Sequence, residues 1–213
     1  MKARTHRQMP SGRLGVAALA ALVLLAGCTA LKRYAYEGFG RDGWQQPERV
    51  VQSLELRPGD RVADLGSGGG YFTFRFSQAV GPAGKVYAVD VDRDMLDHVA
   101  ARARDEGHRN IETVLAKYDD PLLPESGVDL IFTCDVYHHI NDRVKYFAEA
   151  AKYLSPRGRI AIVDFDGRHW SATFIGHTTP VEVIKKEMQE AGYRLEREFD
   201  FLDRQALLVY SKP

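Results

Sequence analysis

The feature that most limits how this chain can fold lies between Arg61 and Phe72, where a short apolar run meets three alternate glycines. Residues 61–65 have the composition of a central strand covered on both faces. Gly66, Gly68 and Gly70 have no Cβ, so the backbone there can turn sharply and approach a ligand closely. A helix beginning just beyond them would direct its free N–H groups at that ligand. The stretch therefore predicts a buried strand, a ligand-binding turn and a helix.

The spacing of these glycines excludes two common nucleotide motifs. The dinucleotide fingerprint G-x-G-x-x-G would need a glycine at Tyr71 or Thr73, and the phosphate-binding G-x-x-x-x-G-K-[ST] motif does not occur. Asp64, two residues before the turn, would repel a pyrophosphate. Its carboxylate suits an ammonium or sulfonium group instead, because opposite charges about 4 Å apart gain roughly 1–4 kcal/mol in a partly solvated site. S-adenosylmethionine (SAM) carries both cations.

A second acid follows a second strand-like run. Residues 85–90 are mainly apolar and end in Asp90, 20 residues after Gly70. An acid at the end of such a strand can accept hydrogen bonds from ribose hydroxyls. Asp64, Asp90 and the glycine turn together predict a cradle for a positively charged adenosyl ligand.

Four segments, in this order, resemble the class I SAM-dependent methyltransferases: VADLGSGGG, VYAVD, PLLPESGVDLIF and LSPRGRIAIVD. The resemblance covers residues 44–211 and implies a methyltransferase domain at 44–213. The implied fold is α/β, a doubly wound Rossmann-like sheet of seven strands, mostly parallel with an antiparallel C-terminal edge strand. The implied activity is methyl transfer from SAM to a small-molecule or lipid-associated acceptor. The alternative is a non-catalytic envelope protein that retains this fold and binds a nucleoside.

The resemblance also implies the cofactor-binding positions, which lie on the glycine turn and at the carboxyl ends of the strands. These positions are Asp64, Gly66, Ser67, Gly68, Gly70, Asp90, Val91, Asp119 and Asp135. In the family an acid just after the third strand often meets the adenine amino group, but the aligned residue here is Lys117. Asp119 and Asp120 lie close by and could replace it.

His138 and His139 are the candidate catalytic residues, and His177 is a third candidate. Methyl transfer depends mainly on orientation and desolvation, worth about 7–11 kcal/mol. Where the acceptor is a hydroxyl or a protonated nitrogen, a base adds about 10²–10⁴-fold. The alternative is that one histidine satisfies backbone groups while the other is solvated. Adjacent residues on an extended strand end point to opposite faces, so no metal site is expected.

The N-terminal residues resemble a bacterial lipoprotein signal peptide. Residues 1–13 carry four basic side chains and no acid, and residues 14–27 are uncharged. This run of 14 residues is shorter than the about 20 that span a bilayer, and fits a signal peptide's apolar region. The sequence Leu-Ala-Gly before Cys28 resembles a lipobox, which implies removal of residues 1–27 and lipidation of Cys28. Thr29, rather than Asp, then implies the outer membrane, with the domain facing the periplasm.

Residues 28–43 are expected to form a tether whose aromatic side chains either pack on the domain or cover the ligand pocket. Without residues 1–27, the chain keeps 25 of its 29 basic residues and all 29 acids, a net charge of about −4. This balance argues against a nucleic-acid partner. With Cys28 lipidated, Cys134 has no partner for a disulfide within the chain.

Overall fold

The computed structural model describes residues 40–167 and 178–212. The predicted signal peptide, Cys28, most of the tether and His177 lie outside these residues. The helices are α1 (Arg41–Gln45), α2 (Pro47–Ser53), α3 (Thr73–Val80), α4 (Arg93–Asp105), α5 (Arg143–Ala150) and α6 (Val181–Glu190). The strands are β1 (Arg61–Leu65), β2 (Lys85–Asp90), β3 (Ile111–Leu115), β4 (Val128–Cys134), β5 (Leu154–Phe165), β6 (Arg194–Phe199) and β7 (Gln205–Ser211). Single turns of 3₁₀ helix cover Tyr137–His139 and Ala151–Tyr153.

The seven strands form one sheet in the order β3-β2-β1-β4-β5-β7-β6. The first five strands pair in parallel, and β7 pairs antiparallel with both β5 and β6. The predicted fold class is therefore confirmed. Within it, the antiparallel strand β7 lies second from the edge, and β6 closes the sheet.

Strands β1, β2, β4 and β5 are buried on both faces for most of their length, as their apolar composition predicts, whereas the edge strand β3 is partly exposed. On one face α2 and α3 pack on a core that includes Val50, Phe76 and Phe132; on the other, α5 and α6 cover a core that includes Phe147 and Met188. The order of the strands changes direction at β1, which has β2 on one side and β4 on the other. The carboxyl ends of β1, β2, β4 and β5 therefore meet at one edge, the place where doubly wound sheets bind ligands.

Across residues 40–167 and 178–212, no helix has the length and apolar character needed to cross a membrane. This finding does not bear on the predicted lipid anchor, which falls outside the described residues.

Candidate active site

The glycine turn after β1 is fixed by hydrogen bonds from its own backbone. The Gly66 and Ser67 amides donate to the Val89 carbonyl at 2.8 and 3.0 Å, which joins the turn to the end of β2. Gly66 has φ 75°, and a Cβ built there would lie 2.2 Å from Cγ2 of Val136. Only glycine meets both the conformational and the packing requirement at this position. The predicted role of Gly66 in the turn thus has a physical basis.

Asp64 lies at the end of β1 and is 3% exposed. Its Oδ2 accepts a hydrogen bond of 2.6 Å from the Thr73 hydroxyl, in the first turn of α3. Burial raises the pKa of Asp64 to about 7; the Thr73 hydrogen bond and the Arg41 guanidinium oppose this, while Asp90 adds to it. Because this pKa lies near neutral pH, a cation that enters the site would shift Asp64 toward its ionised form.

Asp90 and Asp64 lie at the same edge of the sheet, as the sequence predicts. The Oδ2 of Asp90 accepts from the Gly68 amide at 2.8 Å, and its Oδ1 accepts from the Asp92 amide at 2.9 Å. Asp90 therefore ties the glycine turn to the start of α4. Val91, the next residue, is 42% exposed, so its side chain can contact a ligand at this edge.

Asp135 follows β4 in the left-handed conformation, with φ 60°. Its Oδ2 lies 3.3 Å from the Arg41 guanidinium, and its Oδ1 accepts a short hydrogen bond from Gln205. Burial raises the pKa of Asp135 to about 6, although Arg41 opposes the rise. Asp64 and Asp135 thus share one cation, which belongs to α1.

The contribution of α1 has no counterpart in the sequence analysis. The Arg41 guanidinium also lies 4.1 Å from the centre of the Tyr71 ring, just past the glycine turn. Gln45 is fully buried and donates a hydrogen bond to Gln205, which in turn donates one to Asp135. Trp44 packs on Phe165 with 5.8 Å between ring centres. These contacts fix α1 over the carboxyl edge of the sheet.

The two candidate catalytic histidines occupy different environments on the 3₁₀ turn after β4. The side chain of His138 is 9% exposed, and its Nδ1 lies 2.8 Å from Oδ1 of the fully buried Asp164. His139 is exposed, and its ring centre lies 4.1 Å from that of His138. His177, the third candidate, lies outside the described residues.

Comparison with known proteins identifies the family. The sequence profile of the methyltransferase domain family matches residues 56–199, which is most of the chain. The chain belongs to the class I SAM-dependent methyltransferases. Two solved structures with this fold are a SAM-dependent methyltransferase from Aquifex aeolicus (TM-score 0.76, 24% identity, 85% of this chain and 97% of that one) and a protein from Bordetella parapertussis described as a possible exported protein (TM-score 0.64, 16% identity, 79% and 67%).

Among curated proteins, this methyltransferase domain is similar to the ubiquinone/menaquinone biosynthesis C-methyltransferase UbiE of Vibrio vulnificus. The two are 33% identical over 117 residues, which is 54% of this chain and 45% of that protein. The match therefore spans less than half of the relative's length.

The residues of this methyltransferase domain fit the family's cofactor. Asp64, Asp90 and Asp135 offer carboxylates to its cations and hydroxyls, and Gly66 and Gly70 hold the turn beside them with positive φ angles of 75° and 88°. The Ser67 hydroxyl is buried and, within the described residues, has no hydrogen-bond partner. A buried hydroxyl is costly without a partner, so a polar ligand group at this position would stabilise the site.

On the adenine side, Asp119 is the acid left available. The Asp120 carboxylate accepts from the Tyr153 hydroxyl and the Leu122 amide, and it lies 3.6 Å from Nζ of Lys152. Asp119 is exposed at the same loop, next to a Lys117–Asp120 backbone bridge. The prediction that Asp119 contacts the cofactor stays a prediction.

In the part of the chain that the structure describes, no three side chains of His, Cys, Asp or Glu are placed to bind a metal ion. Cys134 lies near three acids, and burial raises the pKa of its thiol well above the ordinary value. A neutral thiol in this position is a packing group rather than a nucleophile.

Proposed function

We propose that this protein uses SAM to methylate a small-molecule or lipid-associated acceptor, in the cell envelope. The observation that carries the proposal is the meeting of Asp64, Asp90 and Asp135 around one glycine turn. The site holds three carboxylates near the guanidinium of Arg41, so its electrostatics favour a positively charged ligand. When bound, SAM supplies an electrophilic methyl group and leaves as a neutral thioether.

The chain's own residues hold and orient the reactants. Asp64 and Asp135 favour the ammonium and sulfonium end of the cofactor, Asp90 the ribose hydroxyls and Asp119 the adenine. The cover formed by α1 excludes water from the carboxyl edge, which strengthens these interactions. Orientation of this kind supplies much of the acceleration in a displacement reaction.

The name of one relative supports the proposed class of acceptor. UbiE of Vibrio vulnificus is named as a C-methyltransferase of ubiquinone and menaquinone biosynthesis. This supports an acceptor that is a small molecule associated with lipid. A lipid anchor at Cys28 would hold the site close to such an acceptor.

Calorimetry of the full chain with SAM tests cofactor binding. We expect a Kd of about 10–100 µM, which is about −5.5 to −7 kcal/mol. Asp90→Ala should weaken binding, because it removes the ribose acceptor and loosens the turn at Gly68. A wild-type chain that releases no heat with SAM, or an Asp90→Ala chain that binds equally well, contradicts the proposal. A screen of quinols, phenols and amines for formation of S-adenosylhomocysteine then identifies the acceptor.

The non-catalytic alternative is favoured by one observation, Lys117 at the position where the family often has an adenine-binding acid. A domain outside the cytoplasm also has no evident supply of SAM. Binding without turnover across the whole acceptor screen would favour this alternative. Formation of S-adenosylhomocysteine that depends on Asp64 would exclude it.

Export and lipidation are proposed from residues 1–28 and are supported by the similarity to a Bordetella parapertussis protein described as a possible exported protein. Growth with labelled palmitate followed by fractionation tests them. We expect labelled protein in the outer membrane for wild type and unlabelled protein for Cys28→Ser. Wild-type protein without label in the cytoplasmic fraction would overturn the localisation.

A further inference from the structure

The Asp164 carboxylate, at the end of β5, is devoted to positioning one histidine. Asp164 is fully buried, and three nitrogen atoms lie within hydrogen-bond distance of its carboxylate. Its Oδ2 accepts from the His138 amide at 3.0 Å, and its Oδ1 accepts from the Phe165 amide at 2.7 Å and lies 2.8 Å from Nδ1 of His138. Asp164 therefore contacts both the backbone amide and the ring of His138.

These contacts favour one tautomer of the imidazole. Oδ1 of Asp164 already accepts from an amide and carries negative charge, so it favours a proton on Nδ1 of His138. In the neutral ring Nε2 is then the basic nitrogen. When Nε2 takes up a proton, the adjacent carboxylate stabilises the imidazolium. A buried carboxylate with three donors is also fixed in space, so the ring has one orientation.

His139 lies in a different environment on the same turn. It is exposed, and its ring packs on that of His138. Among the described residues, Asp164 on β5 and Asp135 after β4 face His138 from neighbouring elements, and His139 lies beside it on the same turn. Of the two histidines proposed from the sequence, His138 is the one that combines low exposure with a ring oriented by a buried carboxylate.

We propose that Asp164 is a positioning residue that makes His138 the general base, and that the acceptor therefore carries a hydroxyl or a protonated nitrogen. This inference rests on the proposed function. The O–H or N–H bond of the acceptor breaks, and its electron pair forms the bond to the methyl carbon. The proton moves to Nε2 of His138, while the electron pair of the broken S–C bond stays on sulfur. Asp164 keeps its negative charge throughout and balances the imidazolium.

Nitrogen-15 NMR of the histidine rings in the full chain, combined with Asp164→Asn, tests the positioning role. In wild type we expect the Nδ1–H tautomer of His138 at high pH. In Asp164→Asn we expect mixed tautomers, because an amide offers one oxygen and a donating NH₂ group in place of the carboxylate. Asp129→Asn is the matched control: Asp129 is half-buried on β4, accepts from the Arg61 amide and the Ser155 hydroxyl, and lies at the opposite edge of the sheet.

Activity separates a catalytic role from a structural one. Asp164→Asn and His138→Gln should each lower kcat about 10²-fold with the acceptor found in the screen, without changing the Kd of SAM more than about twofold. The loss in Asp164→Asn should lie in kcat and leave the KM of the acceptor nearly unchanged, as expected of a residue that orients the base. His139→Gln should lose less activity than His138→Gln, and Asp129→Asn should behave like wild type.

A wild-type His138 in the Nε2–H tautomer, or a tautomer that Asp164→Asn leaves unchanged, overturns the inference without needing an acceptor. So does a loss in Asp164→Asn that lies in the KM of the acceptor while kcat stays unchanged. Calorimetry with SAM on the same samples distinguishes the two failures. Wild type that binds SAM but shows the wrong tautomer contradicts only the role of Asp164, whereas wild type that binds no SAM contradicts the proposed function.

Discussion

Asp64 illustrates how burial adapts a single side chain to a cationic ligand. At pH 6 its folded-state pKa of about 7 keeps most molecules protonated, whereas at pH 8 the carboxylate is formed. A cation binds the carboxylate and not the acid, so SAM should lower this pKa and release a proton on binding.

We therefore expect the affinity for SAM to rise between pH 6 and pH 8, by up to about tenfold for one coupled proton. Calorimetry at pH 6.5 in two buffers of different ionisation enthalpy measures the number of protons released. Asp64→Asn should bind more weakly at pH 8 and release fewer protons. Equal proton release by wild type and Asp64→Asn would show that another group carries the linkage.

A side chain at Gly66 would have two separate costs, one from the positive φ angle of the backbone and one from the contact with Val136. Gly66→Ala should cost about 1–2 kcal/mol for the left-handed backbone and a further 1–3 kcal/mol for the contact with Val136. Gly107 is the matched control, because it has φ 78° but a Cβ added there would meet nothing within 4 Å. Gly107→Ala should therefore show the backbone cost alone.

Urea unfolding measures both variants, and Gly66→Ala with Val136→Ala completes the comparison. The second substitution removes the methyl groups that the new Cβ would meet, so it should recover part of the loss. If Gly66→Ala costs no more than Gly107→Ala, the close approach of Val136 does not constrain the turn.

At the scale of elements, the sequence predicted the sheet well and its irregular parts poorly. β4 and β7 end where their apolar runs meet polar residues, so the sequence pattern locates them. β5 begins at Leu154 and contains Pro156, so its first residues lack the apolar run that marks the rest of the strand. The pairing with β4 shifts register between Val128 and Leu130, and such an irregularity accommodates a proline in a strand.

The site residues that the sequence analysis missed depend on contacts far apart in the chain. Arg41 meets Asp135 94 residues later, and Gln45 meets Gln205 160 residues later. No local pattern encodes such pairs. Asp164 could have been found, because it lies near the end of β5 as Asp90 ends β2, and acids at the carboxyl ends of parallel strands face the ligand edge.

The attachment of α1 can be measured through its buried amides. Gln45→Ala removes the hydrogen bond that Gln45 donates to Oε1 of Gln205, and removing one partner of a buried hydrogen bond costs about 1–3 kcal/mol. Because Gln45→Ala and Gln205→Ala remove the same contact, the double variant should lose less stability than the sum, by about 0.5–3 kcal/mol. Urea unfolding of the four chains gives this coupling.

The exposed pair Glu48–Arg75 is the control for that cycle. It also joins the helices near the site, but its atoms are 3.2 Å apart at the surface, so its coupling should stay below about 1 kcal/mol. Additive effects of Gln45→Ala and Gln205→Ala would mean that α1 does not stay docked in solution.

At the scale of the whole molecule, the fold gathers acids at the carboxyl edge although this costs stability. Asp64 and Asp135 have ordinary pKa values of 3.8, raised in the folded chain to about 7 and about 6. Between these values the unfolded chain is ionised while the folded chain still holds protons. The stabilisation from these groups is thus complete below about pH 4 and is lost as pH rises to about 7. A site that must bind a cation explains why such acids are kept.

The free energy of unfolding of the ligand-free chain should therefore fall between pH 5.5 and pH 8, by about 2 kcal/mol. Urea unfolding across this range measures the slope, and Asp64→Asn with Asp135→Asn should flatten it because neither amide titrates. Saturating SAM should flatten the slope as well, since its cations favour the ionised acids. A ligand-free chain that grows more stable toward pH 8 would mean that these carboxyl groups are not desolvated as the structure indicates.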